Sequence, residues 1–169
     1  MNILTKNLKL TFFICFILFL TIPSLFSLSK IFFFTPFLIT VYYQRSFIFS
    51  LWSSFFCGLI IDSIGSTSHF GIHALNFCVT TLLIRNQRMN FFADNLYTLP
   101  IMTYIFSSCS TIIHWVLLKL FDHSVELSFS ILFIDFLLVP ITDSIYAFCV
   151  FVLPSIIYDR KVKKEKKYA

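Results

Sequence analysis

The chain has 169 residues, of which 58% are hydrophobic and only 12% charged, and its formal net charge is +5. Soluble domains carry about 25% charged residues, and a water-soluble chain of this length needs far more polar surface to enclose a core. The composition therefore excludes an ordinary soluble domain and points to an integral membrane protein, in which the 24 Phe are apolar bulk and not a binding feature.

Residues 10–28 run for 19 positions without a charge, enough to cross a hydrocarbon layer of about 30 Å at about 1.5 Å per helical residue. Lys6 and Lys9 before this run, and Pro23, Ser27 and Ser29 late in it, also resemble a signal peptide. The run is long and its small-residue site late, which favours an uncleaved first helix. Residues 31–43 and 47–61 follow, separated by Arg45, and each is short for an independent span. Two short helices with snorkelling ends, a re-entrant pair, and one long helix carrying Arg45 at mid-membrane all fit. A span over 70–84 leads to a basic and aromatic loop from Arg85, suited to the lipid interface. Residues 99–118 form a second clear span, with His114 inside it, and the loop behind it carries Asp122, His123 and Glu126. The last apolar stretch, 129–157, is 29 residues long and contains Asp135, Pro140, Asp143 and Pro154. Pro140 is predicted to bend it, and a tilt, a kink or an end near Pro154 would absorb the excess length.

Charge asymmetry orients the chain. With spans at 10–28, 31–43, 47–62, 70–84, 99–118 and 130–155 and a cytoplasmic N-terminus, 11 basic residues fall inside and two, Lys30 and Lys119, outside. Fusing 31–61 into one helix gives five spans and weakens the bias to 9 against 3. The expectation is thus an all-α, polytopic membrane helical bundle of about six transmembrane helices, five being possible, with both termini cytoplasmic. It forms a single integral membrane domain over 1–169, ending in a basic tail at 159–169. The tail cations Arg160, Lys161, Lys163, Lys164, Lys166 and Lys167 directly follow a span. They read as an orientation signal and an anchor to anionic lipids, about 1 kcal/mol each, and not as a nucleic-acid site.

Few residues offer chemistry. Five dispersed cysteines, with no metal spacing, read as apolar filler. Asp135 and Asp143 lie eight residues apart, about 80° around a helix. Either they face one proton or cation path, or, the reading preferred here, Asp135 sits at the outer interface and Asp143 hydrogen-bonds to a neighbouring helix. His69 and His73 have the i, i+4 spacing of a zinc pair but no third ligand nearby, so a loop-to-helix junction is favoured. His114 is expected to bond between helices. No catalytic constellation, phosphate loop or cofactor motif is present.

One segment is more specific: Gly58-Leu-Ile-Ile-Asp62-Ser-Ile-Gly65, then Phe70-Gly71-Ile-His-Ala74-Leu75. It predicts a helix ending in an Asp, a glycine-containing turn and a helix starting at Gly71. Gly58 and Asp62 share one face, so that a close-packing notch lies beside a carboxylate able to reach the N–H groups opening the next helix. This pattern resembles that of the bacterial rod shape-determining MreD family, approximately G-L-x-x-D, a short turn, then L-G-x-x-A-L. Gly58, Leu59, Asp62, Gly65, Gly71, Ala74 and Leu75 fit, and Phe70 stands where an aliphatic residue is usual. Pro36 and Tyr42-Tyr43 resemble that family's second helix; beyond residues 31–84 the likeness is one of hydropathy. The resemblance implies a non-enzymatic, multi-pass scaffold of the bacterial inner membrane, acting in cell elongation and peptidoglycan synthesis with MreC, MreB, RodA and the elongation transpeptidase. Gly58, Asp62, Gly65, Gly71 and Ala74 would form its structural and partner-binding motif, and no cofactor or metal is implied. The alternative is a substrate-binding membrane subunit of a vitamin or metal importer, whose mark would be a polar, aromatic-rich pocket at the outer end.

Overall fold

The computed structural model describes residues 7–25, 32–64, 70–84, 98–121 and 129–157. Among these every regular element is helical: α1 (Leu8–Leu25), α2 (Thr35–Gln44), α3 (Phe47–Ile64), α4 (Ile72–Ile84), α5 (Thr98–Phe121) and α6 (Phe129–Ala147), the last continuing through a π turn at Phe148–Val152. Three stretches, Phe47–Ile64, Thr98–Phe121 and Asp135–Ile157, are long and apolar enough to cross a membrane; Leu8–Thr21 and Ile72–Ile84 are shorter apolar helices. Gly65, His69, Arg85, Arg88, Asp122, His123, Glu126 and the tail cations, Arg160, Lys161, Lys163, Lys164, Lys166 and Lys167, lie outside the described residues.

The described surface of the bundle is largely apolar, and its interior mixes an aromatic and aliphatic core with polar side chains. Phe13, Ile48, Phe56, Leu83 and Leu120 are exposed, while Thr35, Ser54, Asn76, Thr80, Ser107 and Asp143 are fully buried. In lipid an apolar exterior costs nothing, and helices associate through close packing and polar contacts between them. The most extensive contacts are the α3–α4 and α5–α6 pairs, with α4 also on α5. Short α2 sits among α1, α3 and α5, and every residue from Thr35 to Tyr42 is buried.

The single long helix through Arg45 does not form. Arg45 is extended (φ −123°, ψ 166°), its N–H closing the end of α2 on Val41 O at 2.9 Å, and α3 starts afresh at Phe47. The Arg45 guanidinium lies 5.8 Å from the Phe49 ring centroid. The break keeps this cation exposed at the end of both helices instead of burying it in the apolar body. At ten residues, α2 is about 15 Å long and reaches only half-way across a hydrocarbon core. It begins later than the expected 31–43 span because residues 32–34 form a turn before it; Pro36 occupies its first turn, where no internal N–H bond is lost.

Nor does the last helix end at Pro154. It runs on to Ile157 after the π turn, whose Leu153 N–H bonds Phe148 O five residues back. This wider turn lies just ahead of Pro154, where the ring would otherwise press on the carbonyl one α-helical turn back.

Candidate functional site

The α3–α4 hairpin is built on a stripe of small and polar residues. Ser50, Ser54, Gly58 and Asp62 recur every four positions and are all buried on one face of α3, so that the backbone of α4 can approach closely. At Gly58 the approach is backbone to backbone. A Cβ there would overlap Ala74 Cα and lie 2.6 Å from Ala74 N and 2.7 Å from His73 O.

One turn further along, the Asp62 carboxylate closes the hairpin. Its Oδ1 accepts the His73 N–H at 3.2 Å and its Oδ2 the Ala74 N–H at 3.1 Å. These are the second and third helical N–H groups of α4, two of the four that a helix start leaves without internal partners. Such donors are ordinarily met by a Ser, Thr, Asp or Asn at the N-cap. Here Gly71 precedes the helix, its carbonyl accepting the Leu75 N–H at 3.0 Å. Gly71 has φ +98°, a conformation that side-chain-bearing residues rarely adopt, and it has no capping group of its own. Asp62 therefore supplies the cap from the preceding helix, its negative charge set against the positive end of the α4 dipole. Gly58, Asp62, Gly71 and Ala74 thus meet at one joint.

A second carboxylate holds the turn that leads into α2. Asp143 Oδ1 accepts the Phe32 N–H at 3.1 Å, and Oδ2 accepts the Ser107 hydroxyl at 2.5 Å. Tyr146, one turn on, donates its hydroxyl to Phe33 O at 3.4 Å. Non-helical backbone inside an apolar bundle needs partners from the protein itself, and α6 provides them. Asp143 is thus a hydrogen-bond partner of neighbouring segments, and Asp135 does not share its site.

Hydroxyls and amides join the remaining helices. Tyr42 Oη lies 2.6 Å from Thr81 Oγ1 and 3.3 Å from Ser54 Oγ, which are themselves 2.6 Å apart. Asn76 donates to Ser110 Oγ at 2.8 Å. Ser54, Thr81, Asn76 and Ser110 were not singled out from the sequence, and Tyr42 was named only for its likeness to the family's second helix. Their partners lie 12 to 39 residues away, and only the every-fourth-residue spacing of Ser50, Ser54, Gly58 and Asp62 offered a local signal.

Beside the Asp62 joint lies a cavity of about 390 Å³ at the end of the bundle where α3 turns into α4. Phe19, Phe32 and Trp115 form aromatic walls; His73, His114, Thr111 and Asp135 are its polar lining. The His73 and His114 rings stack, with centroids 4.7 Å apart and planes 14° apart. Phe32 meets His73 edge-on at 6.5 Å. His73 Nδ1 is buried without a hydrogen-bond partner among the described residues. Since Asp62 holds the His73 backbone, the clamp also sets one wall of the cavity. His73 stacks on His114, 41 residues on, and Asp135 joins the lining from a third helix, while His69, which stands at i, i+4 spacing from His73 in the sequence, lies outside the described residues. No group of three or more His, Cys, Asp or Glu side chains among the described residues is placed to hold a metal ion. Cys15 and Cys57 are buried and none of the five cysteines is in a disulfide. A smaller cavity of about 210 Å³ at the opposite end, between Tyr42, Ser50, Thr81 and Met102, has no carboxylate or imidazole among its described lining residues.

No protein-family model matches the chain, nor does any curated protein or solved structure.

Proposed function

We propose that this chain is a non-enzymatic, multi-pass scaffold of the bacterial inner membrane, acting in the cell-elongation complex in the manner of the MreD proteins. It threads the membrane six times, with both termini cytoplasmic, the second crossing being made by the short helix α2, buried from Thr35 to Tyr42, together with the segment ahead of it. The observation that carries the reading is the joint at the motif residues: Gly58 against the backbone of Ala74, and Asp62 across the first N–H groups of α4. Four of the few residues that match the family pattern are spent on one structural device. A joint of this kind fixes the shape of a hairpin without chemistry, which is what a docking scaffold needs. The partners on this reading are MreC, MreB, RodA and the elongation transpeptidase, with anionic lipid at the basic tail.

The test is co-purification of the tagged protein from gently solubilised native membranes. Recovery of those partners, reduced for Asp62→Ala at matched protein level, is the expected result. Recovery of a transporter's ATPase and coupling subunit would overturn it in favour of an importer subunit. One observation favours that second reading: the aromatic and imidazole-lined cavity lies at the end of the bundle where a captured substrate would enter.

A further inference from the structure

The smaller cavity, about 210 Å³, is below the size of a whole small-molecule site, typically about 300–1,000 Å³. It suits one end of a larger molecule. Its lining comes from the last turn of α2 (Tyr42), the first turn of α3 (Phe47, Ser50), the last turn of α4 (Thr81, Ile84) and the start of α5 (Met102), so it lies where four helix ends meet. Phe47 opens a helix long and apolar enough to cross a membrane, which suits this end of the bundle to the headgroup layer of a bilayer. Tyr42, Ser50 and Thr81 bring hydroxyls to the lining. Ser50 donates its proton to Ser46 O at 3.1 Å, and its oxygen lone pairs can still accept from a hydroxyl that enters the cavity. Between the lining residues Tyr43 and Phe47 stands Arg45, exposed at the break between α2 and α3. Among the described residues no carboxylate pairs with it, and its guanidinium lies 5.8 Å from the centre of the Phe49 ring. From there Ile48, Phe49 and Trp52 continue along α3 as exposed apolar side chains.

We propose that this end of the bundle binds one anionic phospholipid with a hydroxylated headgroup, of the phosphatidylglycerol type. The hydroxyl-lined recess, the exposed cation and the apolar helix face stand in the order of a polyol headgroup, a phosphate and an acyl chain. The phosphate pairs with Arg45, the contact a guanidinium makes best. The headgroup glycerol enters the cavity against Ser50, and an acyl chain lies along Ile48, Phe49 and Trp52. The site is separate from the basic tail. It rests on membrane insertion and not on the scaffold reading, since a scaffold and an importer subunit would both sit among such lipids.

Native mass spectrometry of the full chain in mild detergent counts bound lipids one at a time. The protein is titrated with dioleoyl phosphatidylglycerol, phosphatidylcholine and phosphatidic acid, which share their acyl chains and differ in the headgroup. The expected result is a first phosphatidylglycerol bound about tenfold or more tighter than phosphatidylcholine, the scale of hydrogen bonds to charged groups, with that preference lost in Arg45→Gln. Phosphatidic acid keeps the phosphate but has no glycerol to place, so it should bind between the two. Met102→Phe puts a larger ring into the cavity and should bring phosphatidylglycerol down to the level of phosphatidic acid. Arg45 is exposed, so Arg45→Gln leaves the packing alone and decides the matter if Met102→Phe does not fold. Equal binding of phosphatidylglycerol and phosphatidylcholine, or a preference that survives Arg45→Gln, would overturn the proposal. Displacement of the lipid by glycerol 3-phosphate at comparable concentration would also overturn it, because the site would then be one for a free phosphate. So would loss of the preference in a Lys163→Gln, Lys164→Gln protein with Arg45 intact, which would assign the lipid to the tail.

Discussion

Asp62 is the residue on which most depends locally. Replacing it with Ala strands two N–H groups at the buried start of α4, and losing a helix cap costs about 0.5–2 kcal/mol. Asp62→Ala is therefore expected to lower stability by about 2 kcal/mol, read as an earlier unfolding transition in detergent. Asp62→Asn keeps one acceptor but turns an NH2 toward the other donor, so it should recover only part of the loss; equal stability of Ala and wild type would remove the clamp from the account. Gly58→Ala should cost more than its size suggests. Its Cβ meets backbone atoms of Ala74 and His73 and not the tip of a flexible side chain, so the helices must separate, and overpacking costs about 1–3 kcal/mol. A Gly58→Ala protein as stable as wild type would mean that the seam is loose. Both residues were legible in the sequence because a glycine and an acid one helical turn apart, ahead of a turn, is a local pattern. The His73–His114 stack was not legible, because its members are on different helices, 41 residues apart.

At the scale of the element, α2 is the unusual part of the fold. A ten-residue helix with its first eight residues buried contributes little by propensity, since isolated helices this short are marginal. Its position is set from outside, by Asp143 and Tyr146 at its start and by the Tyr42, Ser54 and Thr81 hydroxyls at its end. Asp143→Asn retains an acceptor for the Phe32 N–H and is expected to stay close to wild type in stability. Asp143→Leu leaves that N–H and the Ser107 hydroxyl buried without a partner, at about 1–3 kcal/mol each. Comparable losses in Asn and Leu would mean that the charge, not the hydrogen-bond geometry, is what Asp143 supplies. Hydropathy located the helices well because apolar runs broken by charges are a one-dimensional signal. It did not choose among the three readings of residues 31–61, because the break at Arg45 is decided by what surrounds α2. The buried polar stripes were equally hidden, since Ser63, exposed on α3, is indistinguishable in type from Ser50 and Ser54 on its buried face.

For the whole molecule, the apolar exterior suits a lipid environment, and the helix order predicts a geometry within it. α3 is 18 residues long, about 27 Å at the helical rise, long enough to set Arg45 at its start and Phe70 beyond its end at opposite faces of a hydrocarbon layer of about 30 Å. Both positions are exposed, which makes them suitable for side-specific labelling. In a background whose five cysteines are replaced by Ala, Arg45→Cys should react only with reagent supplied from the cytoplasmic side, and Phe70→Cys only from the other. The sign follows from the positive-inside bias, because Arg45, Arg85, Arg88 and the tail then share one compartment. Labelling of both from one side would mean that α3 does not cross, leaving the motif joint and the cavity beside it at a different membrane depth. Labelling from opposite sides with the polarity reversed would keep the bundle but turn the cavity toward the cytoplasm. That result would count against capture of an external substrate in the cavity.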